Sequence, residues 1–166
     1  MTDTDETAVK HVELTVYGTM ALLGVVAAAL AKNVVETAGQ LVFTIITATL
    51  ALVISHAWAG VVAHRLVHQT RVTRVVAVRE LWFAATVVTP AVAAIAVIVV
   101  TAPAEDFAFT ATMVQLTLMA MLFAIGFFAA HRAGARLVKA LAWASLDLAV
   151  GIFIVLLKDM LTYFFH

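Results

Sequence analysis

The chain has 166 residues, a formal net charge of zero and no cysteine. Hydrophobic residues make up 64% and charged residues 12%, whereas soluble proteins have about 45–50% apolar and about 25% charged residues. This composition excludes a soluble domain, disulfides and cysteine-ligated metals, and no net charge indicates nucleic-acid binding. The sequence predicts an all-α integral membrane protein whose main contact is the lipid bilayer.

Five apolar runs separated by short polar links predict five transmembrane helices, because about 20 apolar residues cross the hydrocarbon core of a bilayer. An acidic tail over residues 1–11 precedes a single membrane domain over residues 12–166. The predicted spans are about 12–31, 40–63, 81–100, 107–130 and 140–163. The first run ends in Ala29-Leu30-Ala31, which resembles a signal-peptide cleavage site, but acidic residues precede the run. We therefore expect an uncleaved helix.

The basic residues are concentrated in two of the four links. Links 64–79 and 131–139 hold seven Lys or Arg residues, whereas links 32–39 and 101–106 hold one, Lys32. The positive-inside rule places basic links in the cytoplasm. The predicted topology has the N-terminus inside and the C-terminus outside, in the plasma membrane.

Two ionisable side chains interrupt the apolar spans. His56 lies eight residues before His64, and Asp147 lies eight residues after Lys139, so each is about 12 Å from the inner end of its span. Such a group costs about 2.5–3.5 kcal/mol at the membrane centre. We predict that the two face each other in a buried layer that relays protons or binds a cation. The alternative is a structural hydrogen bond between helices.

Three more residues extend the predicted polar pathway. Glu13 and Tyr17 are four residues apart on one helix face and could form a mouth leading to His56. Alternatively, they reach the interface as isolated amphipathic side chains. Thr89 precedes Pro90, which leaves a backbone carbonyl without its donor, so Thr89 is a candidate ion ligand or hinge residue. The alternative is that the threonines bond their own helix backbone.

Histidines at the predicted inner ends are weak metal candidates. His64 and His68 are four residues apart, and His131 ends the fourth span at a similar height. They could hold zinc or haem, but no HExxH motif or nearby carboxylate accompanies them. We expect no metal and no cofactor. Because the sequence also lacks a phosphate-binding loop, a GxSxG motif and paired catalytic carboxylates, we do not expect an enzyme.

Small residues at four-residue spacing predict close helix packing, within one copy or between copies. They are Gly126, Ala130, Gly134, Ala140 and Ala144. The link after the second span alternates basic and apolar residues, which is typical of contact with anionic lipid. The basic residues concerned are Arg65, Arg71, Arg74 and Arg79.

Three short segments resemble a group of small actinobacterial membrane proteins that have no established activity. They are Tyr17-Gly18-Thr19, Ser55-His56-Ala57-Trp58 and Leu156-Leu157-Lys158. The resemblance implies a similar fold and places His56 in the pattern of the group, but it implies no function.

The favoured functional hypothesis is a small channel or proton-linked transporter in which His56 and Asp147 are the working pair. A homo-oligomer is expected, because five short helices make a thin wall for a pore within one copy. The alternative is a non-transporting accessory protein that packs against a larger membrane complex. A haem or metal redox protein is a third hypothesis, and purified protein would then be coloured or carry stoichiometric metal.

Overall fold

A computed structural model describes residues 3–31, 34–68, 73–104 and 106–164, and these residues form helices without any strand. The helices are α1 (Asp3–Ala31), α2 (Ala38–His68), α3 (Arg74–Ala84), α4 (Val88–Thr101), α5 (Phe107–Arg132) and α6 (Leu137–Phe164). Short 3-10 turns cover Ala85–Val87 and Ala102–Ala104.

The prediction of five transmembrane helices is confirmed. Among the described residues, five helical stretches are long and apolar enough to cross a membrane. They are Val9–Ala31, Ala38–Leu66, Arg74–Thr101, Phe107–Arg132 and Leu137–Leu157. The third stretch combines α3, the first 3-10 turn and α4. The chain is therefore a multi-pass membrane protein.

The ends of the helices differ from the predicted boundaries. Residues predicted as an acidic tail continue α1 back to Asp3, and α2 continues through the first basic residues to His68. Hydropathy marks where the apolar run ends, but a helix continues into the polar interface wherever its side chains find partners or water. This difference matters for the site, because the extension of α1 carries Lys10 into the bundle.

Local sequence signals explain where several helices begin. Ahead of α2, the hydroxyl of Thr37 accepts a hydrogen bond from the Gln40 amide at 3.2 Å, and the Gln40 side chain accepts from the Thr37 amide at 3.2 Å. This reciprocal capping box satisfies amides that the first turn leaves free. Thr73 caps α3 and Asp106 caps α5 in the simpler one-bond form.

Pro90 accounts for the interruption of the third span. It has no N–H to offer to the carbonyl of Thr86, one turn earlier. The chain tightens into the 3-10 turn Ala85–Val87 at this place. Gly18 of α1 packs against the turn, and a Cβ added at Gly18 would lie 2.9 Å from Cγ1 of Val87. The absence of a side chain at Gly18 therefore permits the close approach of α1.

Helix α1 is the centre of the bundle and packs against α2, α4, α5 and α6. Helices α2 and α6 share no extended interface among the described residues. The largest fully buried side chains include Leu22, Leu23, Leu41, Ile45, Leu118 and Leu122. In lipid, such contacts stabilise the bundle by close packing rather than by exclusion of water.

The small residues predicted to bring helices together lie between α5 and α6. Ala140 and Ala144 are fully buried and Gly126 is buried. A Cβ added at Gly126 would lie 3.3 Å from the Cα atom of Ala144. The close packing is thus within one copy. Gly134 does not take part as a helical residue, because it lies in the α5–α6 turn with φ of 80°.

One end of the bundle, here called the basic end, contains the C-termini of α2 and α5 and the N-termini of α1, α3 and α6. Its described basic side chains are Lys10, Arg65, Arg74, Arg79, Arg132, Arg136 and Lys139. Described acidic residues at the opposite end are Glu36 and Asp106. Lys32 and Arg71 lie outside the described residues.

Candidate functional site

A partly buried ion pair joins α1 to α3 near the basic end. The Glu80 side chain is 8% exposed, and its Oε2 atom lies 3.0 Å from Nζ of Lys10. Nη2 of Arg79 lies 3.5 Å from the other carboxylate oxygen, Oε1. The Lys10 ammonium also lies 4.5 Å from the centre of the Phe83 ring, within the range of a cation–π interaction. Glu80 therefore has two cationic neighbours in a largely buried position.

Gly60 makes room for this ion pair on α2. A Cβ added at Gly60 would overlap the Glu80 carboxylate, and it would lie 3.0 Å from the Glu80 Cδ atom. Three helices thus contribute to the site: α1 gives Lys10, α2 gives the bare backbone of Gly60, and α3 gives Glu80. A side chain at position 60 would force the carboxylate away from Lys10.

This ion pair was not predicted from the sequence. Lys10 falls in the predicted tail, and Glu80 directly follows the basic link 64–79. One signal was present, because Glu80 is the sole acidic residue between His64 and the third predicted span. A lone carboxylate among arginines at the edge of an apolar run indicates an ion pair, but its partner on another helix cannot be identified from spacing along the chain.

His56 lies one turn deeper in the membrane than Gly60, on the same face of α2. Its ring packs edge-on against Tyr17 of α1, with 4.7 Å between ring centres and 79° between ring planes. The Nε2 atom of His56 is buried and has no hydrogen-bond partner among the described residues. A buried polar atom without a partner costs about 1–3 kcal/mol. His56 therefore carries an unsatisfied buried nitrogen, among the described residues, one helical turn below the ion pair.

Two other predicted pathway residues lie on the outside of the bundle. Glu13 is exposed, although Tyr17, four residues later, reaches His56. Thr89 is also exposed, whereas Pro90 beside it is buried. Thr89 therefore does not face the interior, because the one-residue offset turns its side chain about 100° from that of Pro90.

Asp147 occupies the middle of the fifth span, ten residues from each end of Leu137–Leu157. Its side chain is partly buried and packs against Gly126 of α5, where an added Cβ would overlap the carboxylate. No hydrogen bond or ion pair of Asp147 occurs in the described part of the chain. A carboxylate at this depth without a partner is costly. The glycine opposite provides the space that the carboxyl group occupies.

The predicted pair of His56 and Asp147 is not formed. His56 faces Tyr17 in the α1–α2 interface, and its Nε2 atom has no hydrogen-bond partner among the described residues. Asp147 lies against Gly126 in the α5–α6 interface. Equal depth along two helices does not make them neighbours, and here α1 packs between α2 and α6. In the described part of the chain, His56 and Asp147 therefore lie in two different helix interfaces and do not share one layer.

Most threonine hydroxyls in the spans bond the backbone of their own helix, as the simpler interpretation predicts. Thr47, Thr49 and Thr117 each donate to the carbonyl four residues earlier, at 2.7–2.8 Å. The apolar core cluster around α1 is formed by side chains of α1, α2, α4 and α5. Thr19, Thr49 and Thr110 are buried polar residues, and the side-chain nitrogen of Gln115 is buried without a hydrogen-bond partner among the described residues.

The histidines at the basic end do not form a metal site with other described residues. His131 stacks on Phe127, with 5.9 Å between ring centres. The side chain of His68 is not among those that the structure describes. Among the described side chains, no three His, Asp or Glu residues come close enough to hold a metal ion.

Comparisons of the chain with protein-family models, with curated proteins and with solved structures found no match.

Proposed function

We propose that the protein is a proton-linked transporter or channel, and that Asp147 is the group that takes up and releases the proton. The observation that carries the proposal is a mid-span carboxyl group with a glycine-lined space and no partner in the described residues. An ionised carboxylate in that position costs free energy that a bound proton removes. Asp147 can therefore alternate between a protonated state in an apolar contact and an ionised state in contact with water.

The proton path runs along α6 rather than through the centre of one copy. The core around α1 is filled with apolar side chains, whereas α6 packs against α1 and α5 and leaves apolar residues exposed along its length. A second copy seated on α6 would enclose Asp147 between protein surfaces. We therefore propose a homo-oligomer, in the plasma membrane, with the basic end in the cytoplasm.

We propose that His56 does not work as a pair with Asp147. It lies beneath the Lys10–Glu80 ion pair, on the side of α1 away from α6. Its ring faces Tyr17 in the α1–α2 interface rather than Asp147, and its Nε2 atom has no hydrogen-bond partner among the described residues. The proposal does not require a proton to pass between His56 and Asp147.

A hydrophobic carbodiimide tests the proton-binding role of Asp147. The reagent enters from the apolar phase and reacts with protonated carboxyl groups. We expect mass spectrometry to find the adduct on the peptide that contains Asp147, and labelling to fall as the pH rises because the protonated fraction falls. Glu13, an exposed carboxylate, is the internal control. Equal labelling of Glu13 and Asp147, or labelling of Asp147 that does not change with pH, would argue against the proposal.

An accessory role is the second candidate, and the packed interior favours it. Threonine hydroxyls bonded within their own helices and an apolar core leave few groups for moving an ion. In this case Asp147 would bind a polar group of a partner helix. The expected results are no flux of any tested ion in liposomes and stoichiometric co-purification of one membrane partner, lost in Asp147→Leu.

A further inference from the structure

The α5–α6 turn presents three basic side chains that form no ion pair with the described acidic residues. Arg132, Arg136 and Lys139 are all exposed. None of them has an ion-pair partner in the part of the chain that the structure describes. At the α2–α3 side of the basic end, by contrast, Glu80 lies 3.0 Å from Lys10 and 3.5 Å from Arg79. Three exposed cations without an ion pair among the described residues are therefore grouped at the α5–α6 turn.

The backbone holds this turn in a defined shape. Gly134 adopts a φ of 80°, and its N–H donates to the carbonyl of His131 at 3.0 Å. The N–H of Ala135 donates to the carbonyl of Ala130 at 3.1 Å. Helix α6 follows directly, with the Ala140 N–H donating to the Arg136 carbonyl at 3.0 Å. The basic residues before and after the turn are thus presented from a short, hydrogen-bonded connection.

Trp143 adds an apolar surface next to these charges. It is 59% exposed and lies one turn beyond Lys139 on the same face of α6, about 6 Å deeper in the span. Tryptophan is enriched where the hydrocarbon core meets the headgroup layer. A ligand that touches both Lys139 and Trp143 must carry an anionic group and an apolar chain within a few ångströms of each other.

We propose that Arg132, Arg136, Lys139 and Trp143 form a binding site for an anionic phospholipid. The guanidinium and ammonium groups bind the headgroup phosphate, and an acyl chain lies along Trp143. This site differs from the predicted one at Arg65, Arg71, Arg74 and Arg79, where Glu80 offsets part of the charge and Arg71 lies outside the described residues. It does not rest on the proposed transport function.

Native mass spectrometry of the full chain in neutral detergent tests the site. Phosphatidylglycerol and phosphatidylcholine with identical acyl chains are titrated separately. We expect the wild type to bind phosphatidylglycerol more tightly. The triple variant Arg132→Gln/Arg136→Gln/Lys139→Gln should lose about fivefold in affinity for each cation removed, or about 100-fold in total. Binding of phosphatidylcholine should be unchanged.

The double variant Arg65→Gln/Arg74→Gln is the matched control and should keep the preference for phosphatidylglycerol. If the triple variant does not fold, Lys139→Gln alone should show the fivefold loss, and Arg132→Lys/Arg136→Lys should keep most of the affinity. Equal binding of the two lipids by the wild type would overturn the proposal. The proposal would also be overturned if the triple variant kept its full affinity for phosphatidylglycerol, or if the control variant lost as much affinity as the triple variant. Complete displacement of the lipid by millimolar inorganic phosphate would overturn it as well.

Discussion

Breaking the ion pair between Lys10 and Glu80 should destabilise the bundle more than the loss of a surface salt bridge does. Two unit charges 3.0 Å apart attract by about 5–6 kcal/mol at an effective dielectric constant of about 20, before desolvation is counted. The Glu80 side chain is 8% exposed, whereas that of Lys10 is 41% exposed, so desolvation of the carboxylate offsets much of this attraction. We expect a net coupling of about 1–3 kcal/mol, compared with about 0.2–1 kcal/mol for exposed pairs.

The assay is a double-mutant cycle with Lys10→Met, Glu80→Gln and their combination. Methionine keeps an unbranched apolar stem, and glutamine keeps the shape of the carboxylate, so the charges are the main change. The free energy of unfolding is measured by circular dichroism in mixed micelles with increasing dodecyl sulfate. The double variant should lose less stability than the sum of the two single variants.

An exposed arginine gives the control for the cycle. Arg74→Gln, at the start of α3, should change the free energy of unfolding by about 0.5 kcal/mol or less. If the effects of Lys10→Met and Glu80→Gln on the free energy of unfolding add to within about 0.3 kcal/mol in the double variant, the two charges do not interact in the folded protein and the prediction is wrong.

Three further predictions concern glycine contacts and the unpartnered histidine, and all use the same unfolding assay. Gly60→Ala should cost about 1–3 kcal/mol because the new methyl group displaces the Glu80 carboxylate, and most of this cost should vanish in a Glu80→Ala background. Gly18→Ala should cost a similar amount by pushing α1 away from the 3-10 turn, and an unchanged stability would contradict the close approach. His56→Phe should raise stability by about 1 kcal/mol, because it keeps the ring contact with Tyr17 and removes a buried nitrogen without a partner; a loss of stability would show that the nitrogen is bonded in the membrane.

The architecture could be predicted because the membrane imposes it. Five apolar runs of sufficient length leave helices as the structure that satisfies every backbone amide in lipid, and the five spans followed from hydropathy. The first and last residues of the helices could not be predicted from hydropathy. Whether residues 3–11 continue α1 depends in part on the contact between Lys10 and Glu80, and these residues are distant in sequence.

The candidate site was predicted only in part, and the reason is geometric. Helical rise gives the depth of His56 and Asp147 in their spans, but it gives neither the order of the helices around the bundle nor the direction of each side chain. His56 and Asp147 were predicted to share one helix interface, but in the structure α1 lies between the helices that carry them. By contrast, the small-residue spacing around Gly126 and Ala144 correctly indicated a close helix contact. Helix faces lined with small residues allow the two backbones to approach each other.

Gly60 and Gly126 show what a glycine within an apolar span can indicate. Each lies opposite a carboxylate that belongs to another helix, and each leaves the space in which that carboxylate sits. A glycine within an apolar span can thus mark the place of a carboxyl group from a neighbouring helix as well as a close backbone contact. The partner cannot be named until the helices are arranged.

Proton flux into liposomes tests whether Asp147 carries protons across the membrane. The purified wild type and the variants Asp147→Asn and Glu13→Gln are reconstituted at equal density, and an internal pH-sensitive dye records proton entry driven by a potassium diffusion potential. We expect flux in the wild type and in Glu13→Gln, and flux at the rate of protein-free liposomes in Asp147→Asn, with circular dichroism confirming that the variant is folded. Undiminished flux in folded Asp147→Asn would contradict the role of Asp147, and no flux in the wild type would contradict proton transport itself.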